Sequence, residues 1–177
     1  MKDALKLFLR IRRGINRPFL TAGATIVFGT VIFAIQSHGK IMSSTSVSLG
    51  YVILCVKDVG ASLDFYEKAF GLKRRFFNEE NGRQYGELET GTACLAFANE
   101  AMAKASVGQN LTMPSLDQPP LGVEFALVAE DIDALYAQAV KAGASEVRKP
   151  EAKPWGQKVA YVRDKDGHLV ELCTPVK

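Results

Sequence analysis

Residues 155–175, WGQKVAYVRDKDGHLVELCTP, contain the pattern that decides the fold. Residues 159–163 predict a strand, and the run DKDG at 164–167 predicts a tight turn, because Asp caps turns and Gly adopts positive φ. Residues 168–173 then predict the returning strand. Since side chains alternate across a strand, Glu171 shares its face with apolar residues. A lone glutamate in that setting marks either a core position or a site.

The same order of elements occurs in both halves of the chain. The first half predicts a strand, a helix and three strands at 50–56, 61–70, 72–78, 84–89 and 93–98. The second half predicts the same series at 122–129, 132–142, 146–148, 159–163 and 168–173. A shift of 73 residues places Tyr51 on Glu124 and the helix-capping Asp58 on Asp131. An internal duplication of a βαβββ module explains this pattern better than two unrelated halves.

The chain therefore divides into four segments. A leader occupies 1–47, the first module 48–100, a connector 101–121 and the second module 122–177. The connector contains three prolines and predicts at most a short helix near Met102, so it is either a binding loop or a solvated linker. Each module has too little core to be stable alone, and we expect the two to pack together.

Charge is distributed unevenly along the 177 residues, whose formal net charge is +3. Residues 1–41 hold seven Lys and Arg against one Asp, a net charge of +6, and the rest holds 15 basic and 18 acidic residues, a net charge of −3. The folded part is thus slightly acidic. A basic nucleic-acid-binding face is therefore not expected on the folded part.

The leader allows three interpretations. Residues 18–36 carry no charge and are just long enough to cross a bilayer, and the basic residues before them would remain in the cytoplasm. This predicts a membrane anchor with a single N-terminal helix. Alternatively, translation starts at Met42, residues 1–41 are non-functional upstream sequence and the protein is cytoplasmic. A targeting peptide is the third alternative.

Three cysteines, Cys55, Cys94 and Cys173, lie in apolar runs that predict strands. They lack the paired spacing of a metal site, and their number is odd. We interpret them as buried free thiols, which are typical of a reducing compartment.

Two stretches carry a family resemblance: GYVILCVKDVGASLDFYEKAFGL at 50–72 and WGQKVAYVRDKDGHLVEL at 155–172. With the repeat, they resemble the vicinal oxygen chelate superfamily, which includes glyoxalase I, bleomycin resistance proteins, fosfomycin-inactivating enzymes and extradiol dioxygenases. The resemblance implies an α+β fold of tandem βαβββ modules whose curved mixed sheets form a cavity. It also implies a small-molecule ligand and a homodimer, with the cavity in some members completed across the subunit interface. It does not select an activity, because one fold hosts several chemistries.

In metal-using members, His, Gln or Glu ligands occupy the first and last strands of each module. The resemblance carries these positions to Tyr51, Ala96, Glu124 and Glu171. Ala96 cannot coordinate a metal and neutral Tyr51 is a poor ligand, so Glu124 and Glu171 form an incomplete set for Zn, Ni, Mn or Fe. Alternatively, the two carboxylates act as a catalytic acid–base pair, bind a cationic or polyhydroxylated ligand, or are paired with neighbouring Arg or Tyr side chains.

Other residues around this surface have weaker signals. Alternation places Tyr51, Ala96, Glu124 and Glu171 on one surface. Trp155 and Tyr161 are candidate cavity walls, although plain packing is the more common role of such aromatic residues. His168 is expected to face solvent or cap the turn, and the basic residues 73–75 to form an exposed face.

The resulting expectation is a small-molecule-binding protein of glyoxalase and bleomycin-resistance type that works without a complete metal site. The alternative is a divalent-metal-dependent lyase of glyoxalase I type that uses Glu124 and Glu171. Enzymatic activity is left open, because the sequence contains no P-loop, no GxGxxG and no nucleophile motif.

Overall fold

The computed structural model describes residues 47–176 of the chain. The predicted span at 18–36 and the alternative start at Met42 lie outside these residues. None of the helices within 47–176 is long and apolar enough to cross a membrane.

Eight strands and three helices follow one another in the described region. The first module contains β1 Tyr51–Val56, α1 Val59–Phe70, β2 Lys73–Glu80, β3 Arg83–Glu89 and β4 Cys94–Asn99. The connector begins with α2 Glu100–Val107. The second module contains β5 Glu124–Val128, α3 Ile132–Lys141, β6 Ser145–Ala152, β7 Lys158–Arg163 and β8 Leu169–Cys173. The predicted duplication and the α+β class are confirmed.

Each module forms its own four-stranded mixed sheet. The strand order is β1-β4-β3-β2 in module 1 and β5-β8-β7-β6 in module 2. In both sheets the first strand pairs in parallel with the last, and the remaining pairs are antiparallel. The repeat seen in the sequence is therefore a repeat of topology.

Capping residues fix the start of both long helices at equivalent positions. Asp58 accepts a hydrogen bond from the Ala61 amide at 2.8 Å, and Asp131 accepts one from the Ala134 amide at 3.0 Å. These bonds satisfy amide groups that have no partner inside the helix. The predicted N-caps of α1 and α3 are thus confirmed.

A single hydrophobic core joins the two modules. It is built from the sheet faces that carry α1 and α3, and its buried residues come from both halves of the chain. Tyr66 of α1 lies at its centre, with its ring 5.0 Å from that of Phe97 in module 1 and 6.3 Å from that of Phe125 in module 2. The expectation that neither module would stand alone is consistent with this shared core.

The turn between β7 and β8 is buried, although its sequence is charged. The Asp164 carboxylate accepts hydrogen bonds from the Tyr66 hydroxyl at 2.9 Å and from the amides of Asp166, Gly167 and His168. The His168 ring contacts the same carboxylate through Nδ1 at 2.8 Å. His168 therefore caps the turn as one alternative expected, and it does not extend into solvent.

The same turn binds the first helix of the other module. Asp166 accepts a hydrogen bond from the Lys57 amide at 3.0 Å and one from the Ser62 hydroxyl at 3.2 Å. Both residues lie at the beginning of α1 or just before it. Since Asp164 also contacts α1 through Tyr66, the turn at 164–168 locks the two modules together.

The basic residues at 73–75 are all exposed, as expected, but they do not share one face: Arg74 forms salt bridges to Asp64 and Glu67 of α1, and Arg75 lies beside Glu87 on the opposite face. One local expectation was wrong. Strand β6 extends from Ser145 to Ala152 instead of 146–148. It includes Pro150, which is tolerated because β6 is an edge strand with irregular register.

Candidate functional site

Each sheet has one face covered by its long helix and one face turned away from it, which we call the open face. On the open face of module 2, the side chains of Glu124, Tyr161 and Glu171 lie on three neighbouring strands. Tyr161 pairs directly with Glu171, and Glu124 lies at the start of the adjoining edge strand. The structure therefore brings together both predicted carboxylates and one predicted aromatic residue.

A hydrogen bond couples Tyr161 to Glu171. The Tyr161 hydroxyl donates to Glu171 Oε2 at 2.9 Å. Partial burial, followed by the hydrogen bond and negative charge of Glu171 and the charge of Glu124, raises the pKa of Tyr161 to about 12. Glu124 is thus close enough to influence Tyr161 electrostatically.

We expect the substitution Glu171→Gln to lower the pKa of Tyr161 towards its ordinary value of 10. Gln removes the negative charge that disfavours tyrosinate, although it can still accept a hydrogen bond. NMR titration of the tyrosine ring signals measures this shift. The control Glu146→Gln should lower the pKa of Tyr136, its own hydrogen-bond donor, and leave Tyr161 unchanged.

The open face of module 1 is partly covered by the connector helix. Tyr51 is 37% exposed, but Ala96 has no exposed surface. Tyr85, Ala96 and Ala98 are buried outside the main core, and α2 packs against the strands that carry them while burying its own Met102. Ala96 therefore does not line an accessible surface, and no carboxylate stands at its position.

Sequence reasoning missed a polar group on this same face. Glu87 of β3 pairs directly with Ala96, is only 6% exposed and accepts a hydrogen bond from the Tyr85 hydroxyl at 2.9 Å. Burial and the neighbouring Glu87 raise the pKa of Tyr85 well above its ordinary value. The alternation in QYGELE at 84–89 was the available signal, since Tyr85 and Glu87 share one face.

A buried arginine fixes the connector against module 2. Arg163 donates from Nε to the Gly167 carbonyl at 2.9 Å and from Nη2 to the Ser115 carbonyl at 2.6 Å. A longer contact at 3.4 Å joins Nη1 to the Leu116 carbonyl. The connector at 115–116 is thus held in place by hydrogen bonds and is no simple solvated linker.

The remaining predicted residues are Trp155 and the three cysteines. Trp155 is 64% exposed in the turn between β6 and β7, and its ring N–H donates to Gln157 at 2.9 Å. All three cysteines are free thiols, as expected; Cys173 is buried, and Cys55 and Cys94 are half-buried.

An apolar cleft of about 540 Å³ lies between the two modules. Its walls come from the edge strands β1 and β5, the start of β4 and the ends of both long helices, including Phe70, Phe125 and Leu135. Neither Glu124 nor Glu171 lines it. The cleft is therefore distinct from the polar cluster, although it extends to Ala126, which pairs with Glu171.

The donor set does not fit a complete metal site within one chain. Across residues 47–176, no three His, Cys, Asp or Glu side chains are grouped so that they could hold a metal ion. On the open face of module 2, one oxygen of Glu171 already accepts the Tyr161 hydroxyl, and Glu151 is engaged by Arg148 and Lys153. Glu124 and Glu171 are the carboxylates of this face that the sequence predicts as ligands. Two carboxylates, one of them already engaged, supply fewer protein ligands than a catalytic metal ion ordinarily has.

Tandem βαβββ modules with identical strand order place the chain in a class of proteins built by internal duplication. The sequence pattern of the Glyoxalase/Bleomycin resistance protein/Dioxygenase superfamily matches residues 48–172. The chain belongs to this superfamily, as the resemblance implied.

The chain is also similar to individual known proteins. A Mycobacterium tuberculosis protein, described as uncharacterized, is 28% identical over 125 residues, covering 70% of this chain and 72% of its own length. A probable lactoylglutathione lyase of Vibrio parahaemolyticus is 27% identical over 142 residues, covering 77% of this chain and 91% of its own length. The crystal structure of a glyoxalase-related enzyme from Fulvimarina pelagi matches with a TM-score of 0.62 at 25% identity. The match covers 72% of this chain and 88% of the other.

Proposed function

We propose that the protein binds a small molecule on its open faces, with Glu124, Tyr161 and Glu171 as polar contacts and without a complete metal site. The observation that carries this proposal is that neither of the two carboxylates has a cationic partner in the described part of the chain. Among the side chains of residues 47–176, neither Glu124 nor Glu171 forms a salt bridge. Carboxylates on a partly apolar surface without a cationic partner favour a ligand that donates hydrogen bonds.

A homodimer is part of the proposal. Strands β1 and β5 are edge strands, and Tyr51, Ile53 and Val128 on their open faces are 37%, 37% and 62% exposed. Exposed apolar residues on an unpaired edge favour association with another chain. Members of the superfamily often form dimers, and a second copy would cover these residues and enclose the open faces.

The test is a thermal-shift screen of a small-molecule library, followed by affinity measurements for the best ligand. We expect Glu124→Gln and Glu171→Gln each to weaken binding about tenfold, because each removes a charge-assisted hydrogen bond. Glu130→Gln, an exposed glutamate beyond the end of β5, is the matched control and should bind as the unmodified chain does. Unchanged affinity in both site variants would contradict the proposal.

A second candidate function is a divalent-metal-dependent lyase of glyoxalase I type, with Glu124 and Glu171 as metal ligands and catalytic residues. Its support is the name of the Vibrio relative, a probable lactoylglutathione lyase. Metal analysis of the purified protein separates the two candidates. Stoichiometric Zn, Ni, Mn or Fe that is lost in Glu171→Gln favours the lyase and rules out metal-free binding.

A further inference from the structure

One arginine lies on the open face of each module, Arg75 in module 1 and Arg148 in module 2. The two are offset by one position in the repeat, because Phe76 pairs with Glu87 as Arg148 pairs with Tyr161. Each lies on the outer strand of its sheet at an irregularity, since the register of β2 shifts between Arg74 and Phe76 and that of β6 shifts on both sides of Arg148. Such β-bulges often redirect a side chain beside a site.

Arg75 is oriented by Glu87, the polar residue of β3 that pairs with Ala96 in module 1. Its Nη1 lies 3.7 Å from Glu87 Oε2, which is longer than a hydrogen bond, and its side chain is 41% exposed. Glu87 is fixed in turn by the Tyr85 hydroxyl. The guanidinium is therefore positioned by a buried carboxylate while its N–H groups remain available.

Arg148 has the corresponding environment in module 2. It pairs directly with Tyr161, the residue that hydrogen-bonds Glu171. Its nearest carboxylate oxygen, on Glu151, is 3.6 Å from Nη1 and thus also beyond hydrogen-bond distance. Each open face consequently combines an arginine with a hydrogen-bonded Tyr–Glu pair.

Two other arginines of the chain have guanidinium groups that form structural hydrogen bonds. Arg74 is bonded to two carboxylates of α1, and Arg163 donates to three carbonyls. By contrast, no side-chain hydrogen bond within the described part of the chain involves the guanidinium of Arg75 or Arg148. Apart from the ion pairs with Glu87 at 3.7 Å and Glu151 at 3.6 Å, neither guanidinium has a carboxylate partner among residues 47–176, so both can form hydrogen bonds to a ligand.

We propose that Arg75 and Arg148 bind the acidic group of a small organic acid or phosphate ester, each on the open face of its own module. The planar guanidinium fork matches the oxygens of carboxylate and phosphate. The neighbouring glutamates accept hydrogen bonds from hydroxyl or amino groups of the same ligand, so this inference rests on the proposed function and names its ligand class. A hydroxy acid or a sugar-like phosphate meets both requirements.

Calorimetric titration with malate and with glycerol phosphate tests the proposal, using malamide and glycerol as neutral counterparts. We expect the anions to bind saturably and their neutral counterparts not to. Arg75→Gln and Arg148→Gln should each weaken anion binding about tenfold at the open face of its own module and leave the site on the other module unchanged, as expected for the loss of one charge-assisted bidentate contact. Arg74→Gln is the matched control, because it removes the same charge from the neighbouring position on the opposite face. Its affinity should stay within about twofold of the unmodified chain.

The comparison of the two anions identifies which acidic group the arginines prefer. Absence of saturable anion binding, or equal weakening by Arg74→Gln, overturns the arginine proposal. Anion binding that depends on Arg75 and Arg148 but is unaffected by Glu124→Gln and Glu171→Gln leaves the arginine contacts standing and contradicts the proposed function. The arginine proposal and the proposed function are therefore contradicted by different results.

Discussion

Replacement of Asp164 with alanine should lower the free energy of unfolding by about 3–5 kcal/mol, the cost of breaking a buried, hydrogen-bonded charge. Its carboxylate is 1% exposed. It accepts hydrogen bonds from the Tyr66 hydroxyl and from three backbone amides of the turn, and it contacts the His168 ring. Alanine would leave all of these groups buried without their acceptor. It would also detach the turn from α1, and so weaken the junction between the modules.

Urea denaturation measures this effect, with Asp117→Ala as the matched control. Asp117 is exposed in the connector, and its carboxylate makes only a 3.5 Å contact with Ser115, so its loss should change stability by less than about 0.5 kcal/mol. Equal stability of the two variants would show that the turn does not hold the modules together.

The same carboxylate has a defined pH dependence. Burial alone raises the pKa of Asp164, but the hydrogen bonds and charge of His168 and the hydrogen bond from Tyr66 outweigh it, so the pKa lies below 3.8 in the folded protein. Its contribution to stability is therefore present above pH 3.8 and is lost as the pH falls through the folded-state pKa.

Replacement of Gly167 with alanine should destabilise the protein by about 3 kcal/mol through two separate effects. The residue has φ of +104°, a conformation that disfavours any side chain. A Cβ atom there would also lie 2.8 Å from the carbonyl carbon of Ser115 and 2.7 Å from Nη2 of Arg163. The methyl group would push the connector away from the arginine that holds it.

Gly91→Ala separates the two effects. Gly91 has φ of +95°, but a Cβ atom there would meet nothing within 4 Å. This control should cost only about 1 kcal/mol for the backbone strain. Similar unfolding free energies for the two variants would mean that the close approach of the connector to Gly167 does not contribute to stability.

Much of the fold could be predicted because its determinants are local in sequence. Asp58 and Asp131 precede their helices by one residue, and the strands alternate between apolar and polar positions. The repeat then required that two such modules share a core. The burial of the charged turn was missed because the partners of Asp164 and Asp166 on α1 are about a hundred residues away in sequence.

The candidate site was only partly predictable for a similar reason. Glu124 and Glu171 were found from the family resemblance and from alternation, and Tyr161 was named only as a candidate cavity wall; the structure brings the three together on neighbouring strands. Ala96 was expected to line a cavity, but whether a strand residue is accessible depends on where the connector helix packs. Glu87 was overlooked because its carboxylate is on β3, one strand away from the position that the family pattern emphasises.

The central claim is that the ligand binds on the open face and not in the apolar cleft. NMR chemical-shift mapping with the best ligand from the screen distinguishes the two locations directly. We expect the largest amide shifts around Glu124, Tyr161 and Glu171, and their loss in Glu171→Gln. Shifts confined to the cleft residues Phe70 and Leu135, and unchanged in Glu171→Gln, would contradict the account.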